Sequence, residues 1–195
     1  MLTIVNKMSE KNNMLGKIKT QSSKMLVMEH ENILKVADAL VRESEEVEKG
    51  KEVDKEFFGM AIEFIRNYAD GFHHAKEEDI LFKEFVKKVE SDDGCVHCNP
   101  VEQMLIEHDE GRDAVRLMEE GVGENDKDKV VKGARSYAGL IKEHIFKEDN
   151  ILYPMADDVL SDEIEKEMLE KFKKIGEERK DEKEKYVKFV EGLNG

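Results

Sequence analysis

His73-His74-Ala75-Lys76-Glu77-Glu78-Asp79-Ile80-Leu81-Phe82 and His144-Ile145-Phe146-Lys147-Glu148-Asp149-Asn150-Ile151-Leu152-Tyr153 are one pattern written twice in the same chain. In each run a histidine precedes a glutamate by four residues, so on a helix both side chains leave the same face about one turn apart. The surrounding apolar positions keep helical spacing. A helix opening after Asp54 and running to about Val89 carries Phe58, Ile62, Ile65 and Ala69 ahead of His73. A second, opening after Asp126, carries Val130, Ala134, Tyr137 and Ile141 ahead of His144, then Ile151 and Met155, with Pro154 kinking or interrupting it. This phase turns His73, Glu77, His144 and Glu148 inward. It leaves His74 and Glu78 on or near the surface, beside Asn67, Asp70 and Gly71.

Two further helices share the arrangement. One starts near Ser22 or Ser23 and stops at Gly50, with Leu26, Ile33, Ala37 and Leu40 or Val41 as its stripe and His30 inside that stripe. The other starts at Asn99-Pro100 and presents Val101, Met104, Leu105, His108, Gly111 or Arg112, Val115 and Met118 before Gly121 and Gly123 end it. Ser161 caps a fifth helix through Ile164, Met168, Phe172 and Ile175, whose charged run from Glu177 to Lys185 reads as a solvated face. The expected fold is all-α: an antiparallel up-down four-helix bundle over residues 22–159, an N-terminal arm over 1–21, and a C-terminal helix over 160–195 packed on or extending from the bundle.

Composition agrees. With two prolines, no tryptophan and 40% charged residues, the 195-residue chain is rich in helix formers and poor in breakers. Its 32 basic and 46 acidic residues give a net charge of −14, the wrong sign for nucleic acid or an anionic membrane surface. No apolar run approaches the roughly 20 residues of a membrane span. The start, MLTIVNKMSEKNN, lacks a secretory cleavage pattern, and two cysteines make no disulfide framework, so a cytoplasmic location is expected. The ten methionines at helical spacing read as core filler.

Four inward histidines, one per helix, need partners for their buried nitrogens, and two inward glutamates need pairing or a cation. Imidazole with carboxylate suits a two-metal octahedral site better than a tetrahedral structural zinc. Ferritin-like di-iron bundles place Glu before His at i, i+3, which is the opposite polarity. The pattern instead resembles the hemerythrin-like, or histidine–histidine–glutamate cation-binding, proteins. The resemblance rests on Met28-Glu29-His30-Glu31-Asn32-Ile33, the two quoted runs, and Glu107-His108-Asp109-Glu110-Gly111-Arg112. It implies two iron ions in a non-heme, oxo- or hydroxo-bridged centre, with manganese or zinc as substitutes. His30, His73, His108 and His144 become terminal ligands, and Glu77 and Glu148 become bridging carboxylates.

Oxygen-carrying hemerythrins have a further histidine four residues after the one in the third helix. Here that position is Arg112. Four histidines, two bridging carboxylates and a bridging oxide fill five of six positions on each iron, and Tyr137, Tyr153 or His74 could fill another. The resemblance implies binding of O2 or NO for sensing, storage or scavenging. Its alternative is an enzyme-like role in peroxide or oxygen reduction or in iron-centre repair, and a third class is a purely structural metal bundle. The repair branch shares the four-histidine, two-glutamate set but carries a cysteine-bearing N-terminal segment, and residues 1–21 contain no cysteine. Cys95-Val96-His97-Cys98, between the second and third helices, reads as a redox dithiol, as part of a zinc site, or as an exposed reduced pair without a role.

Overall fold

The computed structural model describes residues 18–91 and 100–193. The Cys95, His97 and Cys98 motif, the Asn99 cap and nearly all of the N-terminal arm lie outside them. Every element described is helical. Helix α1 (Gln21–Glu48) forms the first rod. The second rod is α2 (Lys55–Phe64), two π-helical stretches (Ile65–His74 and Glu77–Leu81) and α3 (Phe82–Ser91). Helix α4 (Val101–Glu124) is the third rod. The fourth is α5 (Lys127–Lys147), a π turn (Glu148–Leu152) and α6 (Tyr153–Val159).

Helix starts follow local chemistry. Asp54 accepts a hydrogen bond from the Phe57 backbone N–H, Asp126 from that of Lys129, and Ser161 from that of Ile164. At α1 the cap is Thr20 rather than Ser22 or Ser23: its hydroxyl accepts from the Ser23 backbone. Thr20 and Ser23 hydroxyls both donate to Asp157 Oδ1 at 2.7 Å, which ties the start of the first rod to the end of the fourth. Gly50, at φ 107°, closes α1 in a conformation other residues rarely adopt.

Gly121 and Gly123 do not end α4, which runs on to Glu124 and stops at Asn125 in the left-handed region. Gly121 instead permits a close approach, since a Cβ there would lie 2.6 Å from the Val130 backbone nitrogen. Gly133 does the same from α5, where a Cβ would lie 2.6 Å from the Met118 nitrogen. Beyond the bundle, the charged C-terminal stretch forms two helices rather than one, α7 (Asp162–Glu178) and α8 (Lys180–Gly192), broken at Arg179. Arg179 turns back to the Gly71 carbonyl and to Glu182. Met168 and Phe172 of α7 and Tyr186 and Val190 of α8 are buried against the bundle.

The core is divided. One apolar cluster runs from Ile33 through Phe64, Val115 and Ala134 to Ile145, and another gathers Leu26, Leu81, Phe85, Met104, Leu152 and Phe172. Between them lies a layer of buried polar groups: His30, His73, His74, Glu77, His108, His144 and Glu148.

Candidate metal centre

The π windings decide which side chains reach that layer. A π turn closes i→i+5 hydrogen bonds and so inserts residues into a face that an α-helix would turn away. Ile65–His74 is wound this way, and His73 and His74 are both buried, at 1% and 6% exposure. The surface placement expected for His74 from a 3.6-residue period is therefore wrong. After Glu148 the same slip turns Ile151 outward, at 49% exposure, and brings Leu152 and Tyr153 in at 0%. Pro154 follows in the first turn of α6, where its missing N–H costs little.

Imidazole nitrogens meet in pairs. His30 Nε2 lies 3.0 Å from His73 Nε2, and His108 Nε2 lies 3.1 Å from His144 Nε2. Glu148 spans the two pairs, with Oε2 3.2 Å from His30 Nε2 and Oε1 3.0 Å from His144 Nε2. Glu77 Oε2 lies 3.6 Å from His73 Nε2 and 3.8 Å from His108 Nε2. The ring of His74 stacks on that of His108 with centroids 3.8 Å apart, and one of its nitrogens lies within 4.8 Å of nitrogens of His108 and His144. All six residues expected from the sequence are brought together, and His74 is added to them.

Each imidazole is held from behind by a carboxylate. Nδ1 of His30 meets Asp149 at 2.9 Å, that of His73 meets Glu29 at 3.0 Å, that of His108 meets Glu78 at 2.7 Å, and that of His144 meets Glu107 at 2.9 Å. These partners fix ring orientation and leave Nε2 facing the centre, as ligand-supporting carboxylates do. The scaffold is duplicated: Glu29-His30 matches Glu107-His108, and His73, Lys76, Glu77 and Glu78 match His144, Lys147, Glu148 and Asp149. Lys76 pairs with Glu29 and Lys147 pairs with Glu107.

The duplication breaks around His74. Its Nδ1 lies 3.4 Å from Asp70 Oδ1, and Arg112 contacts that same Asp70 oxygen at 2.6 Å, Glu78 Oε1 at 2.7 Å and Asp109 at 2.8 Å. Arg112 thus anchors two of the carboxylates behind the histidines. His74 enters the centre from the second rod beside His108, while α4 carries Arg112 one turn beyond His108.

Electrostatics point to a missing positive charge. His74 Nε2, Glu77 Oε2 and both Glu148 oxygens are fully buried without a hydrogen bond. The close approaches of Glu148 to two imidazoles thus lack hydrogen-bond geometry; donor atoms converging on a shared cation would look this way. Burial and the adjacent Glu148 charge push Glu77 well above the usual carboxylate range, whereas His144 and His30 more than offset burial and hold Glu148 well below it. Burial, with the neighbouring imidazoles, pushes His73 and His74 down, which favours their neutral forms. Burial alone would lower His30 too, but Asp149 and Glu148 raise it to about 9. Five imidazoles and two carboxylates around unpaired acceptors fit a pair of octahedral cations.

The chain matches the Hemerythrin HHE cation binding domain over residues 21–156. It belongs to the hemerythrin HHE family. Comparison with curated proteins found no match, and comparison with solved structures found none. In this hemerythrin-like bundle the matched span covers all four rods and every group named above, whereas α7 and α8 lie outside it. A cavity of about 220 Å³ borders the centre, lined by His74, His108, His144, Gly111, Arg112 and Tyr137. Among the described residues no helix is long and apolar enough to cross a membrane.

Proposed function

We propose that this protein holds two iron ions in the polar layer and binds O2 or NO there, in the cytoplasm, as a sensor, store or scavenger. His30 and His73 would hold one iron, and His74, His108 and His144 the other. Glu77 and Glu148, which lie between the two groups of histidines, would hold both ions. Iron in such a site supplies reversible redox chemistry and a position for a diatomic ligand.

The observation that carries this reading is the buried position of His74 beside His108 and His144. Four histidines leave one position open on each metal. The fifth, His74, would add a protein ligand on its own side alone and leave exchange to the ion held by His30 and His73. A one-sided centre suits ligand binding better than a symmetric open pair. Apolar clusters lie on both sides of the layer, and carboxylates fix each ring.

Peroxide or oxygen reduction is the second reading. The hydroxyl of Tyr153, which donates to Glu77 Oε1 at 2.6 Å, favours it by placing a proton at the centre. Spectra of the anaerobic ferrous protein, recorded on adding and then removing O2 or NO, separate the two. Reversible change supports binding, and steady consumption of O2 or peroxide supports turnover. No spectral response to either gas would refute both.

A further inference from the structure

The two halves of the centre differ at one more position. In the duplicated scaffold the counterpart of Tyr153 is Phe82, which offers no donor atom. Phe82 lies against His108, with ring centroids 6.0 Å apart. Tyr153 lies parallel to His30, with centroids 5.7 Å apart and planes inclined by 12°. Its hydroxyl is 3.3 Å from His30 Nε2 and 2.6 Å from Glu77 Oε1, and the residue is fully buried.

Those separations have a coordination meaning. Ligands about 2.1 Å from a six-coordinate metal stand roughly 3.0 Å apart when adjacent on its octahedron. The nitrogens of His30 and His73 are 3.0 Å apart, and those of His108 and His144 are 3.1 Å apart. The Tyr153 oxygen, 3.3 Å from His30 Nε2 and hydrogen-bonded to Glu77 Oε1 at 2.6 Å, lies close enough to both groups to share a metal with them once its proton is lost. We propose that Tyr153 is a protein ligand of the iron held by His30 and His73, occupying as phenolate the position that an exogenous ligand must take. This rests on the di-iron reading and specifies which group guards its exchangeable position.

The chemistry balances without a co-reactant. The Tyr153 O–H bond breaks, an iron–oxygen bond forms, and the proton leaves to solvent, as protons do when ligands bind metal. No electron moves. Each iron then has three terminal protein ligands: His30, His73 and Tyr153 on one, and His74, His108 and His144 on the other. The π turn over Glu148–Leu152, with Pro154 just beyond it, delivers the Tyr153 ring to this place.

The test uses the full chain, loaded with iron and oxidised in air, after iron content has shown that the metal pair is present. Resonance Raman spectroscopy should show phenolate ring modes enhanced within a visible charge-transfer band. Ring-deuterated tyrosine should shift those modes. Of the four tyrosines, Tyr68→Phe, Tyr137→Phe and Tyr186→Phe should keep the band and Tyr153→Phe should lose it. Azide should displace the band in the parent, and should bind Tyr153→Phe about tenfold more tightly because no phenolate competes. An iron-loaded parent without phenolate modes overturns the proposal, even if Tyr153→Phe fails to fold. So does a Tyr153→Phe protein that retains the band. Failure to load iron at all would instead overturn the di-iron reading.

Discussion

Replacing Lys76 by methionine tests the scaffold behind the centre against its own internal copy. Lys76 is fully buried, its ammonium on Glu29 and 3.9 Å from the centroid of the Phe72 ring. Glu29 is itself buried and holds His73 Nδ1 at 3.0 Å. Methionine keeps much of the volume and removes the charge, leaving the buried Glu29 without its cation. Breaking a buried pair from one side costs about 3–5 kcal/mol. Lys147 makes the equivalent contact to Glu107, but its side chain is 34% exposed. Water can replace that ammonium, so Lys147→Met should cost about 1 kcal/mol or less. For a chain of this size 1 kcal/mol moves the midpoint by roughly 2–4 °C. Thermal unfolding of the metal-free proteins should therefore show Lys76→Met about 6–20 °C below the parent, and Lys147→Met within about 4 °C of it. Metal affinity should fall about 10–100-fold in Lys76→Met through the loosened His73 ring. Equal losses in both variants would refute the claim that burial separates the two copies.

Three other outcomes follow. His74→Ala should lower metal content about as much as His73→Ala; full metal retention in His74→Ala would remove it from the centre. Gly133→Ala should destabilise by about 1–3 kcal/mol because the new Cβ meets the α4 backbone, whereas Gly139→Ala, with nothing within 4 Å, should be neutral or stabilising; urea unfolding compares them. In metal-free protein, His30, raised to about 9, contributes stability that is fully present below pH 6.5 and is lost as pH rises through 9. Unfolding free energies from urea titrations at pH 6 and pH 10 should differ by roughly 3 kcal/mol from this group, the lower pH being the more stable, and a flat profile would contradict the placement of His30 between Asp149 and Glu148.

Much of the centre was legible because His30, His73, His108 and His144 each sit in an apolar stripe of α-helical period, and because the second and fourth rods repeat. The matching Lys-Glu-Glu and Lys-Glu-Asp triplets at residues 76–78 and 147–149 held a further signal. They mark Lys76 and Lys147 and the carboxylates Glu78 and Asp149 that hold the opposite histidines. His74 was not legible from periodicity, because the π winding over Ile65–His74 changes the angle per residue and a 3.6-residue wheel misplaces everything within it. Ile151 was expected inside and Leu152 lies there instead, for the same reason. The break at Arg179 depends on its reach to the Gly71 carbonyl, a contact between residues far apart in the chain that no local pattern announces.

The central claim is that five histidines and two glutamates hold a pair of iron ions. Titrating metal-free protein with ferrous iron under anaerobic conditions, and following both bound iron and the thermal midpoint, tests it most directly. Two equivalents should bind per chain, with the midpoint rising as the buried carboxylates gain their cations. Saturation at one equivalent, or binding that leaves the midpoint unchanged, would contradict it.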